Sequence, residues 1–340
     1  MDLLEPIAER PGEGAPEVSV LMPLYNSARI AGDAVTSVLR QEGCIAEILI
    51  SDDQSSDGTL AAAREALAGW RGPHRIRLFR SRRRLIIDHI GTLVAIATGN
   101  LLVQAHGDDI SRRGRLARLL AIRRESGASL ITSLASKPLA AGFEDESLPE
   151  NWPAGPVPLI RVVASNPNGV LAGARYAIDR RVYDLFPRLD SGYLPIGHDS
   201  LLAIRASLLG GVWLSADHLI VRPPRRRQWS NRLWDNRTWE TGRFGYCLHR
   251  MGVLRAAHRD LAHVGKQQTV PAERIRSATA ILTRVSAIVV NEMLDARDKL
   301  QRRGMAPLWV TDDVIEKANL EESKPWVDSN AARTPEKVGG

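Results

Sequence analysis

Short apolar blocks alternate with stretches of helical spacing along the first half of the chain. VSVLM (18–22), AEILI (46–50), RIRLF (75–79), NLLVQA (100–105) and SLITSL (129–134) have strand length and are rich in branched apolar residues. Between the first two, residues 29–41 place Ile30, Ala34, Val35 and Val38 on one helical face. Helical patterns recur at about 60–68, 87–97 and 112–125. Pro23 and the turn-forming Tyr25-Asn26-Ser27 close the first strand. Strands separated by helices in this rhythm predict an α/β fold with a mostly parallel sheet covered on both faces. Such sheets bind ligands at the carboxyl ends of their strands.

The second half is less regular. Residues 137–168 are rich in Pro, Gly, Asn and Ser and read as an irregular excursion, after which VLAGARYAI (170–178) resumes regular structure. A helix is expected near 180–186 and another from about Asp199, with late strands at 212–216 and 218–222. From about Pro223 the sequence turns to arginine, tryptophan and helix formers. Residues 272–302 place Ile275, Leu282, Val285, Val289 and Met293 at amphipathic spacing. The expected organisation is a flexible lead-in (1–17), the main α/β domain (18–225), a helical extension (226–320) and a disordered polar tail (321–340).

Composition adds boundaries. With 340 residues, 44% hydrophobic and 25% charged, the chain reads as a soluble globular protein with a sizeable core. The opening MDLLEPIAERPGEG lacks the basic-then-apolar pattern of a secretory signal. No run approaches 18 uninterrupted apolar residues, so no transmembrane helix is expected. These features predict a cytoplasmic location. Cys44 and Cys247 are far apart without metal-ligand spacing and read as reduced thiols. The net charge of +7 and pI near 9.8 point to an anionic partner: a nucleotide, an anionic lipid surface or a nucleic acid. The basic run lacks the aromatic pattern of a nucleic-acid module, which argues against the last.

The candidate chemistry falls at strand ends. SDDQSSDGT (51–59) offers acceptors for a base or ribose and a helix N-cap, although a plain strand-to-helix turn has the same composition. His106-Gly107-Asp108-Asp109 places paired carboxylates after an apolar run. Such a pair can share a divalent cation that holds a diphosphate, or form an ordinary acidic turn. A polymerase-type Gly-Asp-Asp needs a hairpin, whereas a helix follows here.

Taken together, these blocks resemble the family 2 glycosyltransferases. The match runs through the first strand, Pro23, Tyr25-Asn26, the Ser37-Val38-Leu39-x-Gln41 helix end and Asp52-Asp53-x-Ser55-x-Asp57-Gly58-Thr59, then Ala97-Thr98-Gly99 and the second acidic pair. The resemblance implies a GT-A fold with a nucleotide-sugar-binding domain and a C-terminal helical extension. It implies that Pro23, Tyr25, Asn26, Asp52 and Asp53 face the nucleotide, most often uridine. It also implies that Asp108 binds Mn2+ or Mg2+. The first acid of the metal motif is replaced by His106, which as neutral imidazole can contact metal or ribose, or simply pack. Gly91-Thr92 stands where many members carry Arg-Asn; Arg82, Arg83 and Arg84 precede it and can supply a phosphate contact or form a solvated loop. GHDSLLAIRASLLGG (197–211) resembles the catalytic-base block, with Asp199 as general base and His198 in place of the usual Glu. Asp109 and His198 are assigned to donor or acceptor contact. Arg222 matches an arginine of a loop closing on the diphosphate, without the histidine that often follows, and Arg225 and its neighbours offer a substitute. Trp229, Trp234 and Trp239 read as core or interface residues, with sugar stacking or membrane contact as the alternative.

The leading expectation is therefore inverting sugar transfer from a nucleotide-diphosphate sugar, with a UDP-sugar first, to an acceptor hydroxyl in bacterial surface glycan or glycoconjugate synthesis. The acceptor would be a glycan, a lipid-linked glycan or a protein. Peripheral contact with the anionic inner face of the membrane and dimerisation through the C-terminal helices are further expectations. A catalytically silent binding subunit is the alternative, motivated by His106, His198 and the missing histidine. A nucleotidyltransferase is a lesser one, since the first strand is not followed by a Gly-rich phosphate loop.

Overall fold

The computed structural model describes residues 3–139, 142–150, 152–164, 169–194, 197–223 and 239–302, the side chains of the last segment from 245 onward. The chain divides into two compact units. The first comprises residues 1–228 and 252–285; the second has residues 239–251 and 286–302 as its described part.

The first unit is built on one mixed sheet. Its strands are β1 (Leu4–Arg10), β2 (Val18–Leu24), β3 (Ala46–Asp52), β4 (Arg75–Ser81), β5 (Leu101–Gln104), β6 (Ile110–Ser111), β7 (Leu130–Leu139), β8 (Gly142–Asp145), β9 (Gly155–Val157), β10 (Ala177–Asp179) and β11 (Val212–Val221). The order is β1-β4-β3-β2-β5-β10-β7-β11-β6, with β8 on β7 and β9 on β11. β4, β3, β2 and β5 run parallel, and all seven residues of β3 are buried. Continuous apolar runs are what a strand covered on both faces requires. The covering helices include α1 (Ala28–Leu39), α2 (Thr59–Ala68), α3 (Asp88–Val94) and α4 (Arg115–Ser126). Because β3 lies on one side of β2 and β5 on the other, the winding reverses at β2, which opens a crevice there.

Several expectations need correction. The lead-in contains β1, antiparallel to β4 with an irregular register between Pro6 and Ala8. Proline hides a strand from sequence reading, yet an edge strand tolerates it because one side needs no ladder partner. The stretch 170–178 is a short 3-10 turn at Gly173–Arg175 leading into β10, and the two late strands are one continuous β11. The excursion contributes β8, β9 and α5 (Leu159–Ala164).

After α6 (Arg181–Asp184) and α7 (His198–Leu208), the chain forms two long helices, α8 (Trp239–Gln267) and α9 (Ala272–Arg302). Their parts in residues 252–285 belong to the first unit, not to a separate extension beginning at 226. There Arg205 of α7 and Asp260 of α8, both essentially inaccessible, form a two-point ion pair at 2.7 and 3.0 Å. Paired geometry of this kind lets both charges be buried. In the second unit Arg250 pairs with Glu292 at 3.5 Å. By length and composition alone α9 is apolar enough to cross a membrane, with a mean hydropathy of 1.2 over its most apolar window, as the core helix of a soluble protein can also be. Cys44 and Cys247 form no disulfide. Arg225, Trp229, Trp234, the side chain of Trp239 and the expected tail lie outside the described residues.

Candidate active site

The turn after β2 is laced to the loop after β3. Asn26 takes a left-handed conformation (φ 41°) that asparagine tolerates, and its amide donates to Ser55 Oγ at 3.0 Å. Its own Oδ1 accepts from the Ser56 amide at 3.0 Å, and the Ser27 amide donates to Thr59 Oγ1 at 2.7 Å. Asp57 accepts from the amides of Ala28 and Thr59. Burial works to raise the Asp57 carboxyl, but the Thr59 and Ala28 hydrogen bonds outweigh it and hold it below its ordinary range. The Ser, Asp and Thr of this motif thus fix a loop.

Asp52 and Asp53 behave differently from each other. The Asp53 carboxylate accepts from Ser81 Oγ (3.1 Å), Arg84 Nε (3.3 Å) and the amides of Leu85 (2.7 Å) and Ile86 (2.9 Å). Four donors fill what a carboxylate can accept. They also hold Ile86 at φ 52°, a strained setting for a β-branched residue. Asp53, expected to face the nucleotide, is therefore turned into the protein and organises the 81–86 loop. Asp52 is fully buried; Oδ2 accepts from the Ser55 amide at 3.1 Å, whereas Oδ1 has no hydrogen-bond partner among the described residues. Tyr25 is exposed, and the Arg84 guanidinium lies 3.4 Å from its ring centre. Arg84 thus bridges the Tyr25 ring and Asp53, while Arg82 and Arg83 are exposed.

The turn after β5 carries the second acidic pair. A Cβ on Gly107 would lie 2.5 Å from Leu24 Cδ2 and 3.0 Å from Ser27 Oγ, so glycine lets this turn lie against the end of β2 without displacing those side chains. Ligand atoms of His106, Asp108 and Asp109 all lie within 4.8 Å of one another. Two carboxylates and an imidazole at that spacing suit a divalent cation that keeps water or substrate oxygens as its remaining ligands. Asp109, buried, has Arg222 Nε 3.7 Å from its Oδ1. The buried Arg115 also feels its charge while donating to the carbonyls of Gln104 and Ala174 at 2.9 Å.

A cavity of about 290 Å³ lies between the 86–91 segment, the end of β5 and the start of α7; Tyr25, Asp52, Asp53, Asp108 and Asp109 are not among its lining residues. Pro23, His106, His198 and Asp199 line it together with residues the sequence reading did not single out, among them His89, Gln104 and Tyr183. Asp199 lies in the first turn of α7, where the helix N-terminus favours negative charge. A Cβ on Gly173 would sit 2.7 Å from Asp199 Oδ1 and closer still to Gln104 Oε1. Gly173 therefore allows these two side chains to converge. Gln104 Nε2 donates to the Tyr183 hydroxyl at 3.4 Å, and the Tyr176 hydroxyl donates to the Asp199 carbonyl at 3.2 Å. Burial, then the Asp199 charge, pushes the Tyr176 and Tyr183 hydroxyls well above their ordinary range, so both stay protonated. His198 is tied by Nε2 to the Leu194 carbonyl at 2.7 Å, and burial lowers its pKa. The one sequence signal for Gln104 was a polar residue at the buried end of an apolar strand.

A sheet that reverses at β2 brings the acidic turn, through His106, and the Asp199 side of α7 onto one cavity, as ligand-binding α/β proteins do at such a reversal. Residues 19–186 match the family model "Glycosyl transferase family 2". The chain carries a family 2 glycosyltransferase domain on a GT-A fold. It is 32% identical over 107 residues to the glycosyltransferase-like protein EpsE of Bacillus subtilis (strain 168), covering 31% of this chain and 38% of that one. It is 34% identical over 105 residues to the uncharacterized protein MT1568 of Mycobacterium tuberculosis (strain CDC 1551 / Oshkosh), covering 31% of each. The chain thus spans about a third of the length of these relatives. The fold is similar to S. aureus TarS 1–349 in complex with UDP-GlcNAc, with a TM-score of 0.52 and 15% identity over 85% of this chain and 92% of that one. It is equally similar to the mannosyltransferase PcManGT of Pyrobaculum calidifontis in complex with GDP-Man and Mn2+, with a TM-score of 0.52 and 17% identity over 95% and 88%. The block holding Asp199 lies beyond the matched segment, so its role rests on geometry.

Proposed function

We propose that this protein transfers a sugar from a nucleotide-diphosphate sugar, a UDP-sugar first, to an acceptor hydroxyl with inversion. The observation that carries the reading is the meeting of Asp199 with the His106 turn in one cavity wall. Asp199 takes the proton of the acceptor hydroxyl as that oxygen forms its bond to the anomeric carbon from the face opposite the leaving group. The bond from that carbon to the diphosphate oxygen breaks, and the diphosphate leaves. Asp108, His106 and Asp109 would hold a Mn2+ or Mg2+ ion, which supplies charge stabilisation to the departing diphosphate. Gln104 and Tyr183 bound the space beside Asp199, and Arg222 with Arg115 balances the Asp109 charge. Glycan, lipid-linked and protein hydroxyls are the acceptor classes in this reading, within bacterial glycoconjugate synthesis. The similar TarS fold is in complex with UDP-GlcNAc and that of PcManGT with GDP-Man and Mn2+, which supports a nucleotide-sugar donor and a metal in this reading.

The test is turnover of a panel of UDP- and GDP-sugars with and without manganese, using the protein and its Asp199→Asn variant. Metal-dependent release of nucleoside diphosphate that the variant lacks is the expected result. Absence of both turnover and nucleotide binding would sink the reading. Nucleotide binding with no turnover on any donor or acceptor would favour a silent binding subunit.

A further inference from the structure

His89 is a buried polar residue that the fold does not explain. It lies on α3 at 2% exposure and forms part of the cavity wall, yet its Nε2 has no hydrogen-bond partner among the described residues. Leaving a buried polar atom unpaired costs stability, and leucine would fill similar space without that cost. Its neighbours on the wall are Ile86, Ile87, Ile90 and Gly91, with Pro23 from the end of β2. Among the lining residues of the 86–91 segment the imidazole is the one polar side chain, while Gln104, His106, Tyr183, His198 and Asp199 supply the other polar groups of the cavity. Burial pulls the His89 pKa down to about 4, against the charges of Asp53 and Asp52, so the ring is neutral near pH 7. A neutral ring among isoleucines is poorly suited to a diphosphate or to the many hydroxyls of a sugar. It suits a flat heterocycle with apolar faces and one hydrogen-bonding edge. Asp52 Oδ1, whose charge acts on His89, is a second buried atom without a partner.

Resting on the nucleotide-sugar reading above, we propose that His89 reads the nucleobase of the donor, its Nε2 hydrogen-bonding to the base edge between the isoleucine side chains. It is then a specificity-determining residue for the base, separate from the metal turn and from Asp199. The test compares the protein with His89→Leu and His89→Gln by thermal melting without ligand and by calorimetry with UDP, GDP and pyrophosphate plus manganese. The expected result is that His89→Leu melts no lower than the parent and binds its preferred nucleoside diphosphate at least tenfold more weakly. Pyrophosphate affinity should stay unchanged, and His89→Gln should recover part of the nucleotide affinity. Unchanged nucleotide affinity in His89→Leu, or an equal loss toward pyrophosphate, would overturn the proposal. So would a large drop in melting temperature in both variants, since the fold itself would then need the imidazole. A parent protein that binds pyrophosphate with manganese but neither nucleotide would instead refute the nucleotide-sugar reading, and this assignment with it.

Discussion

Two aspartate pairs end neighbouring parts of one sheet, and they have opposite fates. Asp53 is buried and receives four donors, three of them from the chain leaving β4. Asp108 and Asp109 instead gather with His106 into a group that fits a cation. The sheet accounts for the difference. β4 runs parallel beside β3, so the loop leaving it brings backbone amides straight to Asp53. β5 has the antiparallel β10 on its far side, and what arrives there is the Gly173 turn, which leaves room for Asp199. Identical residue pairs at similar strand ends thus become a loop anchor in one case and a metal-capable turn in the other.

The sharpest way to break this comparison is to remove one acid from each pair. Asp108→Ala should lower turnover by about a thousandfold, roughly 4 kcal/mol of barrier, with the melting temperature nearly unchanged. Asp53→Ala should do the reverse in kind. Losing the acceptor of two backbone amides should cost about 3 kcal/mol of unfolding free energy in urea titration. If Asp53→Ala kept full stability while Asp108→Ala unfolded the protein, the assignments would have to be exchanged.

A pH series sharpens the picture around the first pair. The folded pKa of His89, about 4, lies below its ordinary 6.5, so the unfolded chain binds that proton more readily. Its contribution is fully present above pH 6.5 and is lost as pH falls toward 4, at most about 3 kcal/mol. His74, His198 and His258 are also lowered by burial and act in the same direction. Urea midpoints should fall with acidification, less steeply in His89→Leu. The smallest effect belongs to Arg84→Ala. That side chain is 38% exposed, so its pairing with Asp53 should contribute under about 1 kcal/mol, and a chemical-denaturation difference much larger would mean the Tyr25 stack holds the loop.

The sequence by itself determined the alternation of strands and helices, the parallel core and both acidic pairs at strand ends. Each of these is written in local periodicity and in residues whose turn preferences act over a few positions. The resemblance carried by those blocks extended to the glycosyltransferase domain. Only the tertiary structure decided that Asp53 is saturated and that Asp52 keeps a buried unpartnered oxygen. It also decided that His89, Gln104 and Tyr183 share a wall with Asp199. Those facts depend on which strand lies beside which, and on contacts between residues as distant in sequence as Gln104 and Tyr183, where no local pattern records the partner. Edge strand β1 was hidden for a related reason: its pairing is made with β4, and its own proline conceals the strand.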